Sequence, residues 1–371
     1  MRDARIRFST RSPFSRDLRA RVDAYFESTA KARDGGRTML VKTAIIFGWL
    51  GLAYAVFLVG GALWWVTVLA AIVAGFAMAG LGMAVQHDAG HHAYSYNPKI
   101  NKAASAVLDF CGAASHVWRT KHGFVHHTYP NIEGADDDIE LWPLARMAPG
   151  QKRYPWHRFQ HIYMFVLYGF VGLKWYFIDD FAQLAKGKVG QHPLPQPKGL
   201  DAWIFWGGKV VYGLWALVIP IAVHGWLLGL TFMVVSQLVM GWTLSITFQL
   251  AHCVEEADFV DPEQTGPLEL DFYEHQLATT IDFAPWPWLT WYVGGLNYQA
   301  VPHLFPKVSH IHYAALSKIV AQTCDDHGVA YRRSPSLYHS LRSHVRWLRR
   351  MGRPVAPTAA NGPAPRSARA A

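Results

Sequence analysis

Histidine is the residue type whose spacing most clearly indicates chemistry in this sequence. Two motifs of the form H-x-x-x-H-H occur, at His87–His92 and at His122–His127. Histidines four residues apart on a helix share a face, with Cβ atoms roughly 5–6 Å apart, so two imidazoles can bind one metal ion. Imidazole suits iron, copper, zinc and nickel. The pattern therefore predicts a metal site, and its repetition predicts more than one ion.

Two further histidines fit the same chemistry, although they lie far from the motifs in the sequence. His252 follows a long apolar run, and His303 closes the sequence Gln-Ala-Val-Pro-His. A single H-x-x-x-H pair is at least as often an ordinary surface pair, but two copies of the motif favour a metal site. The candidate metal ligands are therefore His87, His91, His92, His122, His126, His127, His252 and His303.

Carboxylates near the two motifs are candidates to position these ligands. Asp88 lies inside the first motif, and Asp136 follows the second in an acidic run that ends at Asp138. A ligating histidine usually donates its other ring N–H to a carboxylate or a carbonyl group. The acidic run is also typical of a solvated loop, so both interpretations stay open.

The composition is typical of a membrane protein. Hydrophobic residues make up 51% of the chain and charged residues only 16%, whereas an average soluble domain carries about 25% charged residues. The net charge is +9, and many arginines lie in the two terminal regions. Arginines beside apolar spans more often indicate membrane topology than nucleic-acid binding, so we predict no nucleic-acid partner.

Four apolar segments are long enough to cross a bilayer, which takes about 20 residues in a helix. They cover approximately residues 39–59, 62–85, 203–223 and 226–250. Short turns without Lys or Arg, Gly60-Gly61 and His224-Gly225, join them in pairs. By the positive-inside rule the turns lie outside, and both termini and the histidine motifs lie in the cytoplasm. We therefore predict an all-α, multi-pass integral membrane protein, with four transmembrane helices in two hairpins and a cytoplasmic histidine-rich helical cap.

The remaining segments complete the predicted domain organisation. The apolar stretch 162–172 is about half the length of a span, so we predict an interfacial helix there. A crossing at this point would also place the histidines on opposite sides of the membrane. We predict a basic cytoplasmic arm over 1–38, a membrane domain over 39–345 and a disordered tail over 346–371, whose end is rich in Ala and Pro.

The sequence resembles membrane fatty-acid desaturases from its first span to about His327. The segments that carry the resemblance are His87–His92, WRTKH at 118–122, HHTY at 126–129, NIEG at 131–134, DDDIE at 136–140, FQLAH at 248–252, GGLNYQ at 294–299 and HLFP at 303–306. The order of three histidine motifs is highly specific. Because Gln299 opens the third motif, the chain is similar to bacterial acyl-lipid and acyl-CoA desaturases and to front-end desaturases.

The resemblance implies an oxygen-dependent enzyme with two iron ions that introduces a double bond into a fatty acyl chain, carried on a lipid or a thioester. Seven of the candidate histidines match iron ligands, and His92 is an eighth because the spacing of the family's first motif varies. Gln299 stands where relatives have His or Gln, and it joins Asp88 and Asp136 as a residue that could support the ligands. Since the sequence shows no fused cytochrome b5 segment, we expect a separate ferredoxin or cytochrome b5-type electron donor. The bacterial relatives imply an inner membrane.

One position departs from the family pattern. The family's third motif ends in two adjacent histidines, and here the first of them is Pro302. Either another group (Gln299, His310, His312 or water) completes the ligand set of the second iron, or the centre is impaired. A fatty-acyl or lipid hydroxylase, which shares the metal chemistry, and a catalytically impaired lipid-binding paralogue are therefore the alternative functions.

Overall fold

The long apolar runs of the sequence form long helices. The computed structural model describes residues 6–10, 12–261 and 270–354. The α-helices in this part of the chain are α1 (Pro13–Thr29), α2 (Gly36–Gly60), α3 (Trp64–Gly80), α4 (His87–Gly90), α5 (Pro98–Ser105), α6 (Val107–Phe110), α7 (Ser115–Thr120), α8 (Gln160–Leu167), α9 (Val171–Lys174), α10 (Asp180–Lys186), α11 (Leu200–Gly213), α12 (Ile219–His252), α13 (Phe272–Thr279), α14 (Pro287–Tyr292), α15 (Ala300–Leu304), α16 (Tyr313–His327) and α17 (Leu337–Met351).

Shorter elements interrupt and connect these helices. The π-helical turns are Leu81–Gln86, Lys121–His126, Trp175–Asp179 and Leu214–Val218, and the 3₁₀ turns are Pro155–Phe159, Tyr168–Phe170 and His310–His312. The all-α prediction needs a small correction, because two pairs of two-residue strands are present. Strands β1 (Lys188–Val189) and β2 (His192–Pro193) pair antiparallel, and β3 (Asp282–Phe283) and β4 (Arg333–Ser334) pair parallel.

Within the described residues, four helical segments are long and apolar enough to cross a membrane. These segments are Gly36–Gly60, Trp64–Gly90, Pro155–Lys186 and Leu200–His252. The first contains the predicted span 39–59, and the second contains all but the first two residues of the predicted span 62–85. The last contains both 203–223 and 226–250, and Gly225 breaks it with a φ of 81°, a conformation that glycine adopts without strain.

The two predicted turns lie side by side at one end of the helices. His224 Nε2 donates a hydrogen bond to the carbonyl oxygen of Phe57, at 2.9 Å, close to the end of α2. Further along, α3 packs closely against α12, where a Cβ on Gly75 would lie 2.5 Å from the carbonyl oxygen of Ser236. Small residues allow such close packing of helix backbones. These contacts bring the two helical pairs into one bundle.

The segment Pro155–Lys186 differs from the short helix that we predicted at 162–172. It is helical over 32 residues, which corrects the length estimate made from the apolar run alone. The run ended at Lys174, but helical structure continues through Trp175–Asp179 and α10. An exposed lysine paired with Asp179 at 2.9 Å does not end a helix, so the apolar run underestimated the element.

The two lysines at the starts of predicted spans are buried and paired. A lysine near the end of a membrane span commonly extends its flexible side chain to the membrane surface. Instead Lys42 Nζ donates to His310 Nε2 at 2.8 Å, and Lys209 Nζ donates to Asp180 at 2.5 Å. A charge buried in an apolar setting is stabilised by such partners. The pair formed by Lys209 therefore fixes α11 to α10.

The C-terminal boundary of the folded region lies beyond residue 345. Helix α17 continues to Met351, and Trp347, Leu348 and Met351 are buried in the main hydrophobic core. The predicted start of a disordered tail at Arg346 is therefore wrong. The arginines between these apolar residues form the polar face of an amphipathic helix. Residues 355–371 lie outside the described part of the chain.

Candidate metal centre

Seven of the eight predicted histidine ligands are buried and converge at two adjacent points. We name them the four-histidine group (His87, His91, His122 and His127) and the three-histidine group (His126, His252 and His303). Within each group, one potential ligand atom of each residue lies within 4.8 Å of those of the others. The groups are in contact, because the rings of His127 and His303 stack with centroids 4.3 Å apart.

His92 is not brought together with the other histidines. It follows α4 with a positive φ of 61°, and its side chain is exposed. Its backbone carries the chain away from the centre. The first motif therefore contributes His87 and His91, whose rings lie 4.7 Å apart.

The second motif is divided between the two groups because it lies in a π-helical turn. In an α-helix His122 and His126 would share one face. The turn Lys121–His126 is wider, and it brings the Nε2 atoms of His122 and His127 to 3.2 Å. His126 Nε2 instead lies 3.3 Å from His252 Nε2. π-Helical turns occur frequently at functional sites, and this one assigns neighbouring histidines to different groups.

Packing fixes the four-histidine group. The indole ring of Trp118 stacks on His122 with centroids 4.8 Å apart, and it also contacts His91 edge-on at 5.4 Å. Gly90 makes room for the indole, since a Cβ there would lie 2.2 Å from a Trp118 ring carbon. Several buried ring nitrogens of this group have no hydrogen-bond partner among the described residues, namely His87 Nδ1, His87 Nε2, His91 Nε2 and His127 Nδ1.

Hydrogen bonds fix the three-histidine group. His126 Nδ1 lies 3.1 Å from a carboxylate oxygen of Asp136, His252 Nδ1 lies 3.2 Å from the carbonyl oxygen of Thr279, and His303 Nδ1 lies 2.7 Å from Gln276 Oε1. Each acceptor requires a proton on Nδ1. The Nε2 lone pair of each ring is therefore directed into the group, as a metal ligand needs.

Asp136 occupies the position that we predicted for a supporting carboxylate. It is buried, and it also accepts hydrogen bonds from the backbone N–H groups of Asn131 and Asp138. This residue is therefore not part of a solvated loop. Asp88 has a different role: it binds Ser309 Oγ at 2.7 Å and the His310 backbone N–H at 3.2 Å. It fixes the loop after the third motif.

Gln299 is the side chain that the structure brings to the incomplete third motif. Its Nε2 lies 2.9 Å from His252 Nε2 and 3.2 Å from His303 Nε2, and its Oε1 has no partner among the described residues. A half-turn of the amide exchanges the two atoms and directs Oε1 towards the group. His310 and His312 are bound elsewhere, to Lys42 and to the carbonyl of Ala32.

The electrostatics favour metal binding. Burial lowers the pKa of His122, His127 and His303, so these rings are neutral near pH 7 and keep a lone pair for a metal ion. Burial alone would also lower the pKa of His126, but the carboxylates of Asp136 and Asp138 raise it overall. Buried, unpartnered imidazole nitrogens are costly, and metal ions would satisfy them. The residues therefore fit the two ions that the sequence predicts.

Two supporting residues were not identified from the sequence. Gln276 also donates from Nε2 to the carbonyl oxygen of His127 at 3.2 Å, so it contacts both groups. Asn131 donates from Nδ2 to the carbonyl oxygen of His252 at 2.9 Å. The sequence offers only weak signals for these two residues. Gln276 forms a polar pair with His275 in a helix that carries no motif, and Asn131 lies inside a motif shared with the family. Neither has a spacing that points to the ligands.

A cavity of about 250 Å³ lies beside both groups. His122, His126 and His252 line one side, and apolar side chains such as Leu167, Val171 and Leu244 line the other. Its walls come from the second motif, from Pro155–Lys186 and from the end of α12. The site therefore combines buried nitrogen ligands with an adjacent, mainly apolar space.

Comparison with known proteins decides the family. The model of the fatty acid desaturase family matches residues 62–335, which include every predicted ligand. The chain belongs to the fatty acid desaturase family. This desaturase is therefore an oxidoreductase of lipid metabolism that acts on fatty acyl chains, and the resemblance seen in the sequence is confirmed.

Curated relatives match nearly the whole desaturase. The sn-1 linoleoyl-lipid 6-desaturase of Synechocystis is 35% identical, over 94% of this chain and 98% of that protein. The enzyme of the same name from Arthrospira platensis is 33% identical, over 94% of this chain and 95% of that protein. The acyl-lipid (8-3)-desaturase of Physcomitrium patens is 36% identical, over 90% of this chain and 71% of that protein.

Proposed function

We propose that this desaturase holds two iron ions, one in each histidine group, and inserts a double bond into the fatty acyl chain of a membrane lipid. The observation that carries the proposal is the convergence of seven buried histidines on two adjacent points. The four-histidine group would hold one ion with imidazoles alone. The three-histidine group would hold the other together with the amide oxygen of Gln299.

The residues around the ligands have separate roles. Asp136, Thr279 and Gln276 each hold a proton on Nδ1 of one ligand and so orient its Nε2. Bound iron, with O2 as co-substrate, supplies the oxidising chemistry needed to remove hydrogen from unactivated methylene groups. The chain itself supplies a fixed set of ligands and a space that excludes water.

The cavity beside the groups is the proposed site of the acyl chain. Apolar side chains bind hydrocarbon, and the three histidines on its opposite wall place a methylene pair next to both groups. Leu167 and Val171 belong to Pro155–Lys186, and Leu244 belongs to α12, so the relative position of these helices sets the width of the space. Narrowing it should change which carbons are oxidised.

A lipid-linked acyl chain is the substrate class that the relatives favour over a thioester. The two cyanobacterial enzymes are named for a lipid-linked linoleoyl group, and the chain covers nearly all of each. Because reduction of O2 to water consumes more electrons than a methylene pair releases, a donor is required. We propose a separate ferredoxin or cytochrome b5-type protein.

We further propose that the histidine groups face the cytoplasm of a bacterial inner membrane. The turn residues Gly61 and His224 lie together at the opposite end of the bundle from His252. The segment Pro155–Lys186 contacts the histidine end through Tyr168 Oη, which lies 2.9 Å from His344 Nε2, and His344 Nδ1 donates to the carbonyl oxygen of Cys253. Its glycines Gly169 and Gly172 pack on Leu238 and Gln237, near the middle of α12. In the proposed topology this segment does not cross the membrane, since a crossing would put the histidines before it and those after it on opposite sides.

Topology can be tested by labelling single cysteines from outside the cell. The variant lacks Cys111, Cys253 and Cys324, and single cysteines are introduced at Pro306 and at Ala62, which is exposed beside the turn residue Gly61. We expect labelling at position 62 and protection at position 306. Strong labelling at 306 with none at 62 would show that the histidine groups face the opposite side.

The function itself is tested by expression in a desaturase-deficient bacterial host. Fatty acids released from each lipid class are analysed by gas chromatography with mass spectrometry, and iron is measured in the purified protein. We expect a new unsaturated acyl chain in a polar lipid and more than one iron per chain. Hydroxylated fatty acids would favour the hydroxylase alternative. Lipid binding with neither iron nor product would favour the impaired paralogue.

A further inference from the structure

A second and larger cavity lies away from the histidine groups, at the start of α2. Its volume is about 650 Å³, and it lies between the first turns of α2, the segment 285–298 and the residues 310–314. Residues of both polar and apolar character line it, among them Arg37, Lys42, Ile45, Pro287 and Trp291. Neither the proposed metal ligands nor their supporting residues need this space.

Two cations line the cavity without a direct ion pair among the described residues. Lys42 is only 4% exposed, and its contacts are His310 Nε2 at 2.8 Å and the face of Trp291 at 4.9 Å. The nearest acidic group is Asp88, which contacts the other ring nitrogen of His310 at 2.9 Å. Arg37 is exposed and forms no ion pair in the described part of the chain. Positive charge of this kind favours an anionic ligand.

The start of α2 adds to the positive potential of the cavity. Gly35 is its N-cap and offers no side-chain hydrogen bond, and the first turn contains no acidic residue. The N–H of Gly36 already donates to Asp34 Oδ1 at 3.0 Å, which leaves the N–H groups of Arg37 and Thr38 in the first turn. Free N–H groups at a helix start carry a partial positive charge, and they bind phosphate and carboxylate groups readily. Arg37 and Thr38 lie in this first turn and also line the cavity.

The apolar side of the cavity continues along the outer face of α2. Val41 and Ile45 line the cavity and are 60% and 52% exposed, and Leu52 and Val56 follow on the same face, spaced as one helical stripe. Because α2 is long and apolar enough to cross the membrane, this stripe is suited to hydrocarbon. A ligand with both an anionic head and acyl chains matches the two halves of the surface.

We propose that this cavity binds an anionic membrane phospholipid, with its phosphate at Arg37, Lys42 and the start of α2 and its acyl chains along the stripe of α2. This lipid is a bound partner of the protein and is separate from the acyl chain that is oxidised. The proposal does not depend on the metal centre.

Binding can be measured on the full-length protein in neutral detergent. Thermal unfolding and native mass spectrometry are followed while dioleoylphosphatidylglycerol, dioleoylphosphatidylcholine or inorganic phosphate is added. We expect phosphatidylglycerol to raise the unfolding midpoint and to remain bound in the mass spectrum. Arg37→Gln should weaken this binding about tenfold, the effect of losing one charge-assisted hydrogen bond. Arg342→Gln, which removes an equally exposed arginine from α17, should have no effect.

The arms of the experiment separate the possible outcomes. Equal effects of the two lipids, unchanged in Arg37→Gln, would overturn the proposal in favour of a general detergent-like effect. An equal response to inorganic phosphate would show a soluble-anion site and would also overturn it. Lys42→Met should reduce binding further. If this variant does not fold, the comparison of Arg37→Gln with Arg342→Gln still shows whether the lipid binds at this cavity.

Discussion

The two histidine groups differ in what holds their ligands in place. The four-histidine group has more ligands, and packing against Trp118 orients several of them, while many of their nitrogens have no protein partner. The three-histidine group has fewer ligands, but every one has a hydrogen-bond acceptor behind it. With four ligands, a group can still bind its ion when one imidazole is poorly oriented, whereas a group with three ligands needs all of them. The iron affinity of the three-histidine group should therefore be the more sensitive to substitution.

The largest effect is expected from removing a ligand of the three-histidine group. His126→Ala should lower iron to about one per chain and product formation by more than about 100-fold, because losing even a supporting residue costs about 10–100-fold. His91→Ala should retain more iron, since three ligands remain in its group. Iron analysis and product analysis of both variants check the difference. Equal iron loss in the two variants would remove the distinction between the groups.

The control for these variants is His339→Ala. His339 is exposed, and its contact is a surface pair with Glu256 at 3.2 Å, so iron and activity should not change. His344 also lacks ligand spacing, but it is unsuitable as a second control because it is buried and hydrogen-bonded to Tyr168 and to the backbone next to His252.

A smaller effect is expected from removing a supporting residue. Gln276→Leu deletes the acceptor behind His303 and keeps a similar volume, so iron affinity and activity should fall about 10–100-fold. Gln191→Leu, at an exposed position, is the matched control and should behave as the wild type. Titration with ferrous iron gives the affinity. Unchanged affinity in Gln276→Leu would show that packing alone orients His303.

The four-histidine group should respond to loss of packing mainly through stability. Trp118→Leu removes the ring that stacks on His122, and we expect a loss of about 2 kcal/mol in the free energy of unfolding. Iron affinity should fall less than in Gln276→Leu, because four ligands remain. Thermal unfolding and iron titration measure the two quantities. A larger loss of iron than in Gln276→Leu would reverse the comparison.

The smallest effect concerns Pro302. Pro302→His adds an imidazole three residues after Gln299, on a nearby face of the same turn. We expect iron to rise towards two per chain and desaturation to increase a few-fold, which is less than the effect of about 10–100-fold expected from losing a supporting residue. Gln299→Leu should lower the iron affinity of the three-histidine group, and adding Pro302→His to this variant should restore the affinity. If wild-type protein already binds two irons and Pro302→His is neutral or harmful, the site is built around the proline.

The sequence predicted the family, the apolar spans and seven of the residues that the structure brings together. Each of these rests on a local pattern: the H-x-x-x-H spacing, a run of about 20 apolar residues, or a motif order. His92 was included because it continues a motif, and the reversal of the backbone after Gly90 is not visible in such a pattern. The supporting residues depend on contacts between distant segments, as for Gln276, which lies 27 residues from His303.

The buried lysines and the segment Pro155–Lys186 show a second reason for error. Lys42 and Lys209 lie in apolar stretches of the sequence, but the positions of their side chains depend on His310 and Asp180, which lie in other elements. The length of an apolar run likewise describes only the face of a helix that avoids water. A helix can continue through polar residues where tertiary contacts support it, so its full length follows from those contacts.

The π-helical turn at Lys121–His126 has a consequence for how such enzymes can change. Widening one turn by a single residue moves a side chain by about a quarter of the way round the helix, since an α-helix has about 3.6 residues per turn. The same six residues could thus bind one metal ion from a regular α-helix or contribute ligands to two ions from a widened turn. Inserting or deleting one residue in this turn should therefore change which ion each histidine binds, with no histidine gained or lost.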